Sequence, residues 1–131
     1  MRLVVANAFS LSMLSELIEA SETKSIAVVV EEISLEEAKE YIKIFRERGD
    51  EIYSVVGHES TAKLLTKLLG TEIRYNRERY SLREGENLLV CQLLVRLPVG
   101  RELTEEELEM LLKNRQIRFY YICAIVKDPW R

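Results

Sequence analysis

The stretch Ile52-Tyr53-Ser54-Val55-Val56-Gly57-His58-Glu59-Ser60-Thr61-Ala62-Lys63-Leu64-Leu65-Thr66-Lys67-Leu68-Leu69-Gly70 changes its periodicity at one point. Residues 52–56 are a short apolar, β-branched run of strand length. From Ala62 onward the apolar residues recur at helical spacing. Ala62, Leu64, Leu65, Leu68 and Leu69 share one broad face, and Gly70 supplies the stop. Gly57-His58-Glu59-Ser60-Thr61 is therefore a strand-to-helix turn. The unpaired N–H groups and positive dipole end of a helix N-terminus favour an anion. Ser60 and Thr61 add hydroxyl donors, and His58, the single histidine, can exchange a proton near neutral pH. An anion cradle beside a proton donor points to phosphate chemistry. The plainer alternative is an ordinary turn histidine followed by a capping Ser60.

Outward from this turn, strands and helices alternate. Residues 2–6 read as a continuous apolar strand, broken by Asn7-Ala8-Phe9-Ser10. Ser10 can cap a short helix carrying Leu11, Met13, Leu14 and Leu17. Residues 26–30 predict a second strand and residues 51–56 the third. Ser34-Leu35-Glu36-Glu37 is a capping box opening a helix that turns Leu35, Ala38, Tyr41, Ile42 and Phe45 to the core and stops at Gly49. Beyond Gly70, Ile73, Tyr75 and residues 77–82 read as an arginine-rich strand or hairpin arm. Residues 83–87 are a turn, and 88–97 the most apolar strand. Gln92 and Arg96, four apart, would point to one face of it. Either they need partners or a ligand, or Arg96 ends the strand at the surface. Thr104 and Glu107 form a second capping box, with Leu103 stapled onto Leu108, in a helix running to about Asn114. Residues 119–126 are a last strand and 127–131 a tail. The expected architecture is α/β: a single domain over residues 1–131 with a mixed sheet flanked by helices. The mixture is expected because 77–97 looks like a hairpin.

The composition, with 47% hydrophobic and 31% charged residues in 131, is that of one globular domain with a real core. No apolar run approaches the ~18 residues of a membrane span, and the first strand is too short for a secretory signal, so a cytoplasmic protein with no membrane partner is expected. Cys91 and Cys123 lie inside apolar runs and read as buried thiols, without metal-ligand spacing. The net charge of −3 gives no reason to expect DNA binding. Between Arg74 and Arg83, however, four arginines face one acid, a basic strip able to take a small anion or to serve as a solvated face. Few glutamines among many Glu, Lys and Arg lean toward a thermophilic source.

Taken together, Asn7-Ala8-Phe9-Ser10, Gly57-His58-Glu59-Ser60-Thr61, Asn76-Arg77 and Arg96-Leu97-Pro98-Val99-Gly100 resemble, in order and spacing, the viral anti-CRISPR ring nucleases and their cellular relatives. Those proteins destroy cyclic tetra-adenylate, the second messenger of type III CRISPR immunity. The ordered set carries the resemblance, which is weakest over residues 19–50 and in the tail. It implies a two-fold symmetric homodimer acting in the cytoplasm, that of the host if the source is a virus, with no cofactor and no metal. It places the general acid on His58 and the transition-state arginine on Arg96. Ligand-binding roles fall on Asn7, Ser10, Ser60, Thr61, Arg77 and Gln92. Two positions depart from the family. Val99 stands where a glutamate usually positions or polarises the histidine, and Val95 where a polar residue precedes the arginine. Glu59 and Glu102 are the candidates to compensate.

The implied chemistry suits the residues. A ribose 2′-OH held in line with the leaving 5′-oxygen attacks its own phosphodiester, giving linear di-adenylate ending in 2′,3′-cyclic phosphate. This takes geometry, a proton donor and a cation for the phosphorane. Two rivals remain at this level: a sponge that sequesters the cyclic nucleotide, and a protein-interaction module of the same fold in which His58 is incidental.

Overall fold

A computed structural model describes residues 2–130; Met1 and Arg131, the ends of the first-strand and tail stretches, lie outside the described residues. Five strands form one sheet: β1 (Arg2–Ala6), β2 (Ile26–Ile33), β3 (Glu51–Ser54), β4 (Asn87–Leu93) and β5 (Ile117–Lys127), in the order β2-β5-β4-β1-β3. β1 pairs in parallel with β3 on one side (Val5 opposite Ser54) and with β4 on the other (Ala6 opposite Val90). β5 runs antiparallel to both β4 and β2. The sheet is mixed, as expected, and Val56 extends it by one parallel bridge to Tyr75.

After Arg2, the apolar run of β1 over residues 3–6 reflects burial on both faces. Leu3 and Val5 join Leu89 and Cys91 under the helices α2 (Leu35–Glu47), α3 (Glu59–Leu69) and α4 (Glu105–Lys113). Val4 and Ala6 join Leu88 and Val90 on the opposite face. There they meet Met13 and Leu14 of a 3-10 turn (Leu11–Leu14) and Leu17 of α1 (Ser15–Ala20). Both capping boxes are present, Ser34 with Glu37 and Thr104 with Glu107. Gly70 ends α3 at φ +66°, a left-handed conformation that glycine adopts without Cβ strain.

Three expectations are corrected. The segment 77–82 is not a hairpin arm paired with β4; β5 takes that place. Arg77, Glu78 and Arg79 stay exposed, which an interior slot beside β4 could not allow. The chain instead crosses the α1 face, where Leu82 is fully buried and its N–H donates to the Met13 carbonyl at 2.7 Å. β4 stops at Leu93, because its partner β5 begins at Ile117; after one more bond, Leu94 N–H to Gln116 C=O at 2.8 Å, the chain turns away. Arg96 therefore lies beyond the strand and shares no strand face with Gln92. Finally, Cys91 is buried but Cys123 only partly so; burial pushes the Cys91 thiol well above its ordinary pKa.

Candidate functional site

β1, β3 and β4 point the same way, so their carboxyl ends lie on one edge of the sheet. The chain leaves β1 toward the α1 face and leaves β3 toward the α3 face. Neighbouring strands whose connections diverge open a crevice at their carboxyl ends, the place where open α/β sheets bind ligands. Asn7 spans it: its side-chain oxygen accepts the Gly57 N–H at 3.3 Å, tying the end of β1 to the turn after β3.

His58 is the N-cap of α3. Its extended backbone (φ −132°, ψ 128°) lets its carbonyl accept from Ala62 N–H at 2.9 Å, but its imidazole makes no capping bond. The side chain is exposed at the first turn of α3, where the leading N–H groups have no intrahelical acceptor. Ser60 is exposed in that turn, whereas Thr61 is only 7% exposed. Ser10 precedes the 3-10 turn without capping it through its side chain; its hydroxyl bonds that of Ser12 at 2.8 Å. The base of the Arg77 side chain lies beside Gly57, with Arg77 Cγ 3.6 Å from where a Cβ on Gly57 would sit. Gln92 is half-buried near the end of β4, opposite Arg118. Arg96 is exposed in the turn that follows.

A cleft of about 620 Å³ opens between α3 and the turn after β4. It brings together His58 and Ser60 from the predicted set, but not Asn7, Ser10, Thr61, Arg77, Gln92 or Arg96; Leu97 and Pro98, just past Arg96, form part of its wall. Glu59 and Glu102 both line it, while Val99 is fully exposed and outside it. The two candidates to compensate for Val99 thus share the cleft with His58, and position 99 does not. The cleft also holds Lys63, Lys67 and Arg101, which the sequence reading missed. The spacing Glu59-Lys63-Lys67 puts a charged row along one side of α3 and could have revealed two of them. Arg101 is committed elsewhere, to Glu107 at 2.7 and 2.9 Å. That pairing, then the Thr104 N–H, holds the Glu107 carboxyl down at about 2. Lys67 lies 3.7 Å from Glu105. Among the described residues no group of His, Cys, Asp and Glu is gathered for a metal ion, and no helix is long and apolar enough to cross a membrane.

An α/β domain with a polar edge at the carboxyl ends of three parallel strands, flanked by a histidine-capped helix, is the class that fold and site define. A family model described as STIV B116-like matches residues 3–121, and the chain belongs to that family. It is 38% identical to protein 26 of Sulfolobus islandicus filamentous virus over 92 residues, 70% of this chain and 74% of that protein. It is 35% identical to YddF of Bacillus subtilis over 95 residues, 72% and 82% of the two chains. Among solved structures, B116 of Sulfolobus turreted icosahedral virus superposes with a TM-score of 0.78 at 25% identity, covering 95% of this chain and 100% of that one.

Proposed function

We propose that this protein is a ring nuclease: a homodimer that binds cyclic tetra-adenylate at the carboxyl edge of β1, β3 and β4 and cleaves it without a metal ion. The observation that carries the reading is topological. Asn7, Ser10, His58, Ser60, Arg77 and Arg96 come from separate parts of the sequence, yet all follow or flank the carboxyl ends of strands on one edge. His58 suits a general acid because its imidazole is exposed and makes no capping bond, next to the first-turn N–H groups of α3 that favour a phosphate.

In the proposed reaction the 2′-OH of one adenylate attacks the adjacent phosphorus and loses its proton to solvent water, the P–O5′ bond breaks, and protonated His58 gives its proton to the departing 5′-oxygen. Arg96 meets the charge that grows on the phosphoryl oxygens, while Arg77, Ser10 and Ser60 hold the neighbouring phosphates and riboses. Fixing the attack in line supplies the largest gain, and the acid adds about 10²–10⁴-fold. One histidine per chain and two chains about a two-fold axis would cut a four-membered ring twice, giving two linear di-adenylates. Shutting off type III CRISPR signalling in the cytoplasm is the consequence.

The test is incubation with cyclic oligoadenylates of several ring sizes in EDTA, with the products resolved. Di-adenylate carrying 2′,3′-cyclic phosphate is the expected product from the four-membered ring. Tight binding with the ring left intact would leave the protein a sponge.

A further inference from the structure

We propose that Asn76 is a positioning residue that sets Arg77 beside the His58 turn, ready to receive a phosphate. This rests on the reading of the strand edge as the site of an anionic cyclic nucleotide.

Between α3 and β4 the chain forms no regular helix or strand, yet the part carrying Arg77 is laced to the end of β3. The Asn76 backbone N–H donates to the Val56 carbonyl at 2.9 Å. Its side-chain nitrogen donates to the Ser54 carbonyl at 2.8 Å and to the Glu78 carboxylate at 2.9 Å. Ser54 fastens the same segment one step earlier, donating its hydroxyl to the Arg74 carbonyl at 2.6 Å and accepting the Val56 N–H at 3.2 Å. Tyr53 donates its hydroxyl to Glu78. Both neighbours of Arg77 are therefore anchored, while Arg77 itself forms no ion pair with a described residue.

Two consequences follow from the chemistry. Asn76 bonds a carbonyl and a carboxylate through one amide nitrogen, which takes two N–H groups at one point; aspartate has the same shape and offers neither. The two donors on Glu78, from Asn76 and Tyr53, both bond its Oε1 and hold the one acid of the arginine-rich strip against the end of β3. Arg77 thus keeps its guanidinium for an outside anion, the group best shaped for phosphate. With the Arg77 Cα 4.0 Å and its Cγ 3.6 Å from where a Cβ on Gly57 would lie, part of the ordering that binding requires is complete before the ligand arrives.

The experiment is a double-mutant cycle on cyclic tetra-adenylate affinity, using Asn76→Asp, Arg77→Ala and the pair, with thermal melts and amide NMR. Asn76→Asp is expected to weaken binding about tenfold and Arg77→Ala at least as much, while the double variant binds within about twofold of Arg77→Ala, because Asn76 acts through Arg77. The loss is expected in KM, with the saturated single-turnover rate nearly unchanged, and the Gly57 and Arg77 amide signals should shift or broaden. Ser34→Ala, which removes the capping box of α2 outside this network, should lower Tm yet leave affinity within about twofold, so loss of stability alone does not imitate the effect. Additive losses in the double variant would overturn the proposal, as would wild-type affinity and unmoved Gly57 and Arg77 signals in Asn76→Asp. If the wild-type protein fails to bind the ring, the ring-nuclease reading falls instead, and those amide signals still decide whether Asn76 sets Arg77.

Discussion

His58 occupies an N-cap position, where Ser, Thr, Asp or Asn would satisfy a helix N–H, and its imidazole makes no such bond. A side chain that is poor for the helix and gives a proton in the proposed reaction makes opposite predictions for stability and rate. His58→Ser should raise stability by about 0.5–2 kcal/mol and lower turnover by ~10²-fold or more, while ligand affinity stays within a few-fold. Denaturant melts and single-turnover kinetics on the same preparation check both halves; a destabilised variant with normal rate would contradict both. Arg96→Ala should damage binding and rate together, since a cation that meets phosphate in the ground state meets more charge in the phosphorane. Lysine there should rescue only in part, lacking the planar fork. Val99 projects wholly into solvent outside the cleft, so Val99→Glu should leave the single-turnover rate within about twofold at neutral pH, the range of an uncoupled surface change. A large gain would show that position 99 reaches the imidazole.

Among the elements, those legible in the sequence are the ones fixed by neighbours a few residues away. Both capping boxes, the Gly70 stop and the both-faces-buried β1 depend on local chemistry or a short apolar run, and all are where the sequence puts them. Ser34→Ala and Thr104→Ala should each cost about 0.5–2 kcal/mol in a denaturant melt; no change on either would mean that the box contributes nothing. What was not legible depends on distant partners. The end of β4 is set by where β5 begins, which no pattern within 88–97 encodes. The arm at 77–82 has the composition of a strand but is held across the α1 face by Met13 and by the buried Leu82. The site divides the same way. His58 and Ser60 could be read from the strand-to-helix turn, while the opposite wall of the cleft, with Arg101 and Glu102, comes from a turn placed only by the folded sheet.

At the scale of the molecule, the sheet is locked at the edge away from the site. The Arg2 guanidinium donates to Glu86 at 2.6 Å and to the Tyr80 hydroxyl at 2.6 Å and lies 4.1 Å from the Tyr53 ring centre. Burial alone would push the Glu86 carboxyl up, but bonds from Tyr80, Arg2 and the Arg83 N–H together hold it below its ordinary value. A carboxyl lowered in the folded state adds stability above its unfolded pKa of about 4.3 and loses it as pH falls through the folded value. Burial, then the bond to Glu86, lifts the Tyr80 phenol to about 12, so its contribution is present below about pH 10 and fades as pH rises through that window. Glu86→Gln should therefore flatten the acid limb of the stability–pH curve, measured by melts from about pH 3 to 7 across the carboxylate range; an unchanged acid limb would remove Glu86 from this role. The proposed homodimer can be checked by sedimentation, where a monomer at all concentrations would leave a single histidine facing a four-fold ring. The most direct measurement is single-turnover incubation of cyclic tetra-adenylate with excess protein in EDTA, wild type beside His58→Ala. Linear di-adenylate with 2′,3′-cyclic phosphate from the wild type, and ~10²-fold less from the variant, is the predicted result; an intact ring, or cleavage only when a divalent metal is restored, would contradict it.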